Sequence, residues 1–193
     1  MKKTIILGAV TAVLTFVQCG EDGNPYLIEN GRMGSITRDT QMKQIDSIFA
    51  NDSIVKLNPI PNALGTQGEV EIYEKNGNKL LLISPEDESD PDSEISNIQV
   101  FDERYETVSG LNVNSTFADI KANYEIEAIE NAINSVVIFL KNSEVYITID
   151  KKQLPESIRY NFNAKVESSQ IPDTATFKYF MVGWYELDDS ENP

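Results

Sequence analysis

EVEIYEKNGNKLLLIS, residues 69–84, decides the fold. Val70 and Ile72 alternate with Glu69, Glu71 and Tyr73. That period of two puts the apolar side chains on one face of a half-buried strand. Asn76-Gly77 follows, a strong signal for a hairpin turn. Residues 79–84 then return as a second strand, and 95–101 read as a third. Between these two lies PEDESDPDSE (85–94), acidic, with two prolines and no large apolar residue, which reads as a loop.

Working outward, the same grammar recurs. Residues 136–140 and 144–149 form a second hairpin around Asn142-Ser143, and 176–186 give a further strand. Upstream of each hairpin stands a helical signal. Asp39-Thr40 offers cap oxygens before Met42, Ile45, Ile48 and Phe49, which share one helical face against Gln41, Lys43, Gln44 and Asp46. Asn114-Ser115 stands in the same way before Phe117, Ile120 and Tyr124. Ile28, Met33 and Ile36 suggest a short strand or extended lead-in. Ser53–Leu57 reads as the start of a strand stopped near Pro59 and Pro61. The expectation is an α+β fold: antiparallel sheet or sheets with two short helices on one face, in two tandem helix-hairpin-strand repeats over 31–107 and 108–187. Matching the hairpins needs a smaller shift than matching the helices, because the first copy carries a longer Pro/Gly loop over 58–68. Whether the repeats share one sheet is left open.

FKYFMVGWY (177–185) is apolar on both alternating faces apart from Lys178. Such a strand belongs at a sheet centre, or at a contact with another body. On the second reading Tyr179, Trp184 and Tyr185 are the interaction residues.

The first residues carry an address. Met1-Lys2-Lys3 is basic, and 4–17 are uncharged and mostly apolar. That run is short of the roughly 20 residues of a membrane-spanning helix, and polar Gly20-Glu21-Asp22-Gly23-Asn24-Pro25 follows at once. Residues 1–18 therefore read as an export signal. The sole cysteine, Cys19, stands where the signal ends. Phe16-Val17-Gln18-Cys19 resembles the bacterial lipobox, with Gln18 where a small residue is usual. The resemblance implies that Cys19 is lipidated and that 19–30 form a tether. Gly20-Glu21-Asp22 is similar to the acidic stretch of Bacteroidetes surface lipoproteins, which implies an outer-membrane address at the cell surface. A triacylated cysteine buries enough CH₂ groups for stable anchoring. The tandem capped helices, Asp39-Thr40-x-Met42 and Asn114-Ser115-x-Phe117, also resemble envelope modules of the BamE/SmpA type in architecture, though the glycine expected beside the cap and a second helix per module are missing. The last residues, 188–193, are expected to be disordered.

Composition narrows function. With 193 residues, a net charge of −15 and no histidine, nucleic acid is not an expected partner. Ser-His-Asp and Cys-His catalysis and histidine zinc sites are excluded. No GxGxxG, GxxxxGK[ST] or GxSxG pattern occurs, and no cofactor is expected. The acidic loop reads as solvated; were it to chelate a divalent cation, Asp87, Asp90 and Asp92 would be ligands. Arg104-Tyr105 and Arg159-Tyr160 sit near strand ends, either as rim packing or as a grip on an anionic or sugar ligand. The expected function is a non-enzymatic, lipid-anchored interaction module with an envelope protein partner. A surface glycan- or nutrient-binding lipoprotein is the first alternative. A carboxylate-dependent hydrolase is the second, although nothing singles out a pair among 31 acidic residues.

Overall fold

The computed structural model describes residues 24–57, 68–90, 92–161 and 163–184. Residues 1–18, read above as an export signal, Cys19, most of 58–68, Tyr185 and residues 188–193 lie outside the described residues.

Strands dominate. A small sheet joins β1 (Leu27–Glu29), β2 (Arg32–Met33), β3 (Ile36–Thr37) and β8 (Glu106–Thr107) in the order β3-β2-β1-β8, with β1 and β8 parallel. The large sheet contains β4 (Ser53–Leu57), β5 (Glu69–Tyr73), β6 (Lys79–Pro85) and β7 (Ile95–Val100), then β9 (Ile126–Asn131), β10 (Ser135–Leu140), β11 (Val145–Asp150) and β12 (Tyr179–Gly183). Its order is β4-β5-β6-β7-β12-β11-β10-β9, antiparallel throughout.

This corrects the α+β expectation. Among the described residues helix is confined to α1 (Ile45–Ile48), α2 (Phe117–Asn123), α3 (Glu156–Arg159) and short 3-10 turns. The repeating unit is not helix-hairpin-strand. Each half of the large sheet is a four-stranded meander, and the halves meet along β7 and β12 in one continuous sheet. The reading missed β9 because IEAIEN spaces its two isoleucines three apart instead of alternating, and as an edge strand it has no buried residue, three of its six being exposed.

The caps also differ from expectation. Helical signal over 42–49 resolves into a 3-10 turn and a single α turn. Thr40 is buried and closes a turn instead, its Oγ1 accepting the Thr37 amide at 2.9 Å. The second helix begins one residue later than Asn114-Ser115 implies. Its cap is Thr116, whose amide and hydroxyl both donate to Asp119 Oδ2, at 2.7 and 2.9 Å.

Register explains why the large sheet holds. One apolar row crosses all eight strands: Ile54, Ile72, Leu81, Val100, Phe180, Ile147, Ile138 and Ile129 pair in succession. Six of these, from Ile72 to Ile138, are almost wholly buried. Met42 and Ile45 from the first helical segment, Phe117 and Ile120 from α2, Ile158 from α3, and Ile28, Met33 and Ile36 from the small sheet join the same buried cluster. Because strand side chains alternate, the opposite face of the large sheet is left toward solvent. No helix among the described residues is long and apolar enough to cross a membrane.

Candidate functional site

The solvent face of the large sheet carries a second complete row. Val55, Glu71, Leu82, Gln99, Met181, Tyr146, Phe139 and Ala128 pair in succession from edge to edge. From Glu71 to Phe139 every member is half-buried, and Val55 and Ala128 at the edges are exposed. Phe139 and Tyr146 stack across β10 and β11 with ring centroids 5.7 Å apart. The Tyr146 hydroxyl donates to Asn97 Oδ1 at 2.7 Å, fixing its ring. At the β5 end, Lys79 pairs with Glu71 at 2.6 Å and lies 4.3 Å from the centroid of Phe101. The ammonium of Lys79, followed by the Tyr73 hydroxyl, holds the Glu71 carboxyl below its ordinary pKa. From this ion pair the row runs through Leu82, Gln99, Met181, Tyr146 and Phe139, apolar or aromatic but for Gln99.

The sequence candidates divide. Tyr179 is 41% exposed on this face. Trp184 is not an exposed anchor: it is 5% exposed, and its indole nitrogen donates to Glu144 Oε2 at 2.7 Å. β12 lies between β7 and β11, so the sheet-centre reading of that strand describes its place. Tyr185 lies outside the described residues.

The acidic loop is turn chemistry. Asp87 Oδ1 accepts the amide and hydroxyl of Ser89 at 2.7 and 2.6 Å, and these bonds hold its carboxyl below the ordinary range. Asp90 accepts the Asp92 amide, and Asp92 pairs with Lys43. Among the described residues no group of three or more acidic, cysteine or histidine side chains is arranged to hold a metal ion.

Arg104 is fully committed. It bonds Asp102, Glu74 and the Tyr26 hydroxyl, and its guanidinium stacks 4.6 Å from the Tyr26 ring. Those carboxylates raise its pKa, and it depresses theirs. Tyr105 is buried, and burial pushes its hydroxyl pKa up. That pair is packing. Arg159 and Tyr160, in contrast, line a cleft at the far end of the molecule.

Glu144, missed in the sequence, ties the pieces together. It begins the return of the second hairpin, and its carboxylate accepts from Trp184, from the Gly31 amide at 2.5 Å and from Arg38. Two pockets flank it, of about 290 and 170 Å³. Both fall below the ordinary volume of a ligand site, about 300–1,000 Å³. The row on the open face escaped notice because residues in register lie far apart in the chain, and only strand pairing brings them together.

The crystal structure of the uncharacterized protein yfeY from Escherichia coli is similar to this chain with a TM-score of 0.52, at 13% identity, over 78% of this chain and 94% of that one. At that identity the likeness is one of fold. No protein-family model and no curated protein matches the chain.

Proposed function

We propose that the chain is a lipid-anchored envelope protein whose folded body is a non-enzymatic interaction module, docking an envelope protein on the open face of its large sheet. The observation that carries this reading is the row from Leu82 to Phe139. Apart from Gln99, half-exposed apolar and aromatic side chains there lie in register across adjacent strands, on the face opposite the core row, as a docking surface requires. Anchoring is supported by the signal-like segment, by the lipobox-like residues ending at Cys19, and by the acidic residues that follow. The lack of histidine supports a non-enzymatic role. An outer-membrane address at the cell surface fits the same residues.

A photo-crosslinking residue placed at Met181 in the native host tests the docking face. The expected result is one discrete adduct with an envelope protein, lost when Leu82→Asp is added and absent when the probe is moved to Lys75 in the β5–β6 turn. Equal labelling from Met181 and Lys75, or an adduct indifferent to Leu82→Asp, would overturn the assignment.

A further inference from the structure

At the end of the molecule opposite the Glu144 joint, a cleft of about 590 Å³ is lined by Ile133, Asn134, Asp150, Lys151, Lys152, Arg159, Tyr160 and Lys178. Four cations and one acid line this cleft in a chain whose net charge is −15. They are far apart in sequence. Lys151 and Lys152 form the 3-10 turn after β11, Arg159 ends α3, and Lys178 precedes β12. The fold therefore gathers like charges that unscreened repulsion would separate, which is the arrangement of a site that receives an anion.

Pairing sharpens the contrast. Elsewhere among the described residues every lysine and arginine except Lys75 is in an ion pair with a carboxylate. Lys152, Arg159 and Lys178 form no such pair among those residues. The acid in the lining is engaged otherwise: Asp150 Oδ1 accepts the Lys152 amide at 2.8 Å. Arg159 is held in place by its own turn, with Nη2 donating to the carbonyls of Lys152 and Leu154 at 3.0 and 3.1 Å. Its Nε is buried with no acceptor in range among the described residues. Lys151 is 2% exposed, a lysine brought into the wall of the cleft. Beside the cations stand Tyr160 and Ile133, 68% and 72% exposed. An aromatic face and an apolar side chain at the mouth suit an organic body attached to the anion.

We infer that this cleft binds a small phosphorylated organic molecule, its phosphate among Lys152, Arg159 and Lys178 and its carbon skeleton against Tyr160 and Ile133. A phosphate suits several cations and a fixed guanidinium better than a single carboxylate does, because it offers three acceptor oxygens and up to two charges. This site lies apart from the open-face row, and neither inference depends on the other.

Calorimetric titration of the full-length chain in non-ionic detergent tests it, with glucose 6-phosphate, glycerol 3-phosphate, inorganic phosphate, glucose and glycerol as probes. One organic phosphate is expected to bind at least tenfold more tightly than its neutral parent and than inorganic phosphate. Preference for glucose 6-phosphate would assign a sugar phosphate, and preference for glycerol 3-phosphate a lipid headgroup. Lys152→Ala with Lys178→Ala should weaken that binding at least tenfold, and Lys75→Ala should leave it unchanged. Should the double variant fail to fold, Tyr160→Ala alone is expected to remove the advantage over inorganic phosphate. Equal binding of the phosphates and their neutral parents, inorganic phosphate binding as tightly as both esters, or an equal loss from Lys75→Ala would overturn the inference.

Discussion

The indole N–H of Trp184 donates to the Glu144 carboxylate at 2.7 Å, joining the residue after β12 to the start of the β11 return. The same carboxylate accepts the Gly31 amide at the β1–β2 turn and an ion pair from Arg38 after β3. One side chain thus fastens the small sheet to the large one.

Glu144→Ala leaves the Trp184 indole and the Gly31 amide without their acceptor. At about 1–3 kcal/mol for each of these two donors, the expected loss is roughly 2–6 kcal/mol. Glu144→Gln keeps an acceptor and should lose less than half as much. The Arg38 pair adds little, since that side chain is 49% exposed. Chemical denaturation followed by the fluorescence of Trp184, the sole tryptophan, measures both variants.

Gly34 and Gly31 should respond differently to alanine. Gly34 has φ +57, and a Cβ there would lie 2.1 Å from the Pro25 carbonyl oxygen. Gly31 has φ +76 with nothing within 4 Å. Gly31→Ala should cost only the left-handed backbone penalty, about 1–2 kcal/mol. Gly34→Ala adds a backbone collision and should be markedly worse, with loss of the β1–β2 lead-in visible as faster proteolysis near residue 30. Equal melting temperatures for the two variants would contradict this geometry.

Phe180 and Met181 are chain neighbours on opposite faces. Phe180 is 1% exposed and stacks on Phe177 at 6.1 Å. Its truncation to alanine should cost about 3–5 kcal/mol. Met181→Ala, on the half-exposed face, should cost under about 1 kcal/mol. Urea midpoints of the two variants check which face is core.

Acid acts through carboxylates alone. With no histidine, no side chain has its ordinary pKa between 5 and 8. The Thr116 amide, followed by its hydroxyl, lowers the Asp119 pKa from 3.8. A depressed folded-state pKa contributes stability that is present above the unfolded value and lost as pH falls through the folded one. The stability gap between wild type and Asp119→Ala should therefore be constant from pH 8 to about 5 and close below about 4. The gap removes the general effect of neutralising an acidic surface. For Tyr105, burial raises the pKa above 10.0. Its contribution is present below pH 10 and lost as pH rises through the folded value, so Tyr105→Phe should flatten the alkaline limb of the stability profile.

The strands were readable where one face is apolar and the other polar. Glu69–Tyr73 follows from its alternation alone, and the hairpin turn is fixed by Asn76 and by Gly77, whose φ is +94. Short helices misled, because Met42, Ile45 and Phe49 have helical spacing yet form only a 3-10 turn and one α turn whose apolar residues join the core. Once β9 is taken as a strand, the helix-hairpin-strand unit becomes a four-stranded meander and the fold class changes. Of the candidate interaction residues, Tyr179 reaches the open face, and Trp184 turned out to be a buried donor to Glu144. The lysines and arginine of the cleft were legible only as scattered charges. Arg159-Tyr160 was the one pair that flagged the place, and the adjacency of Lys151 and Lys152 is the signal that could have completed it.

Mass spectrometry of the intact protein from its native envelope tests the anchored-module account most directly. The account predicts a polypeptide beginning at Cys19 with a fatty glyceride bonded to its sulfur. An unmodified sulfur, or a mature chain that starts at any other residue, would contradict it.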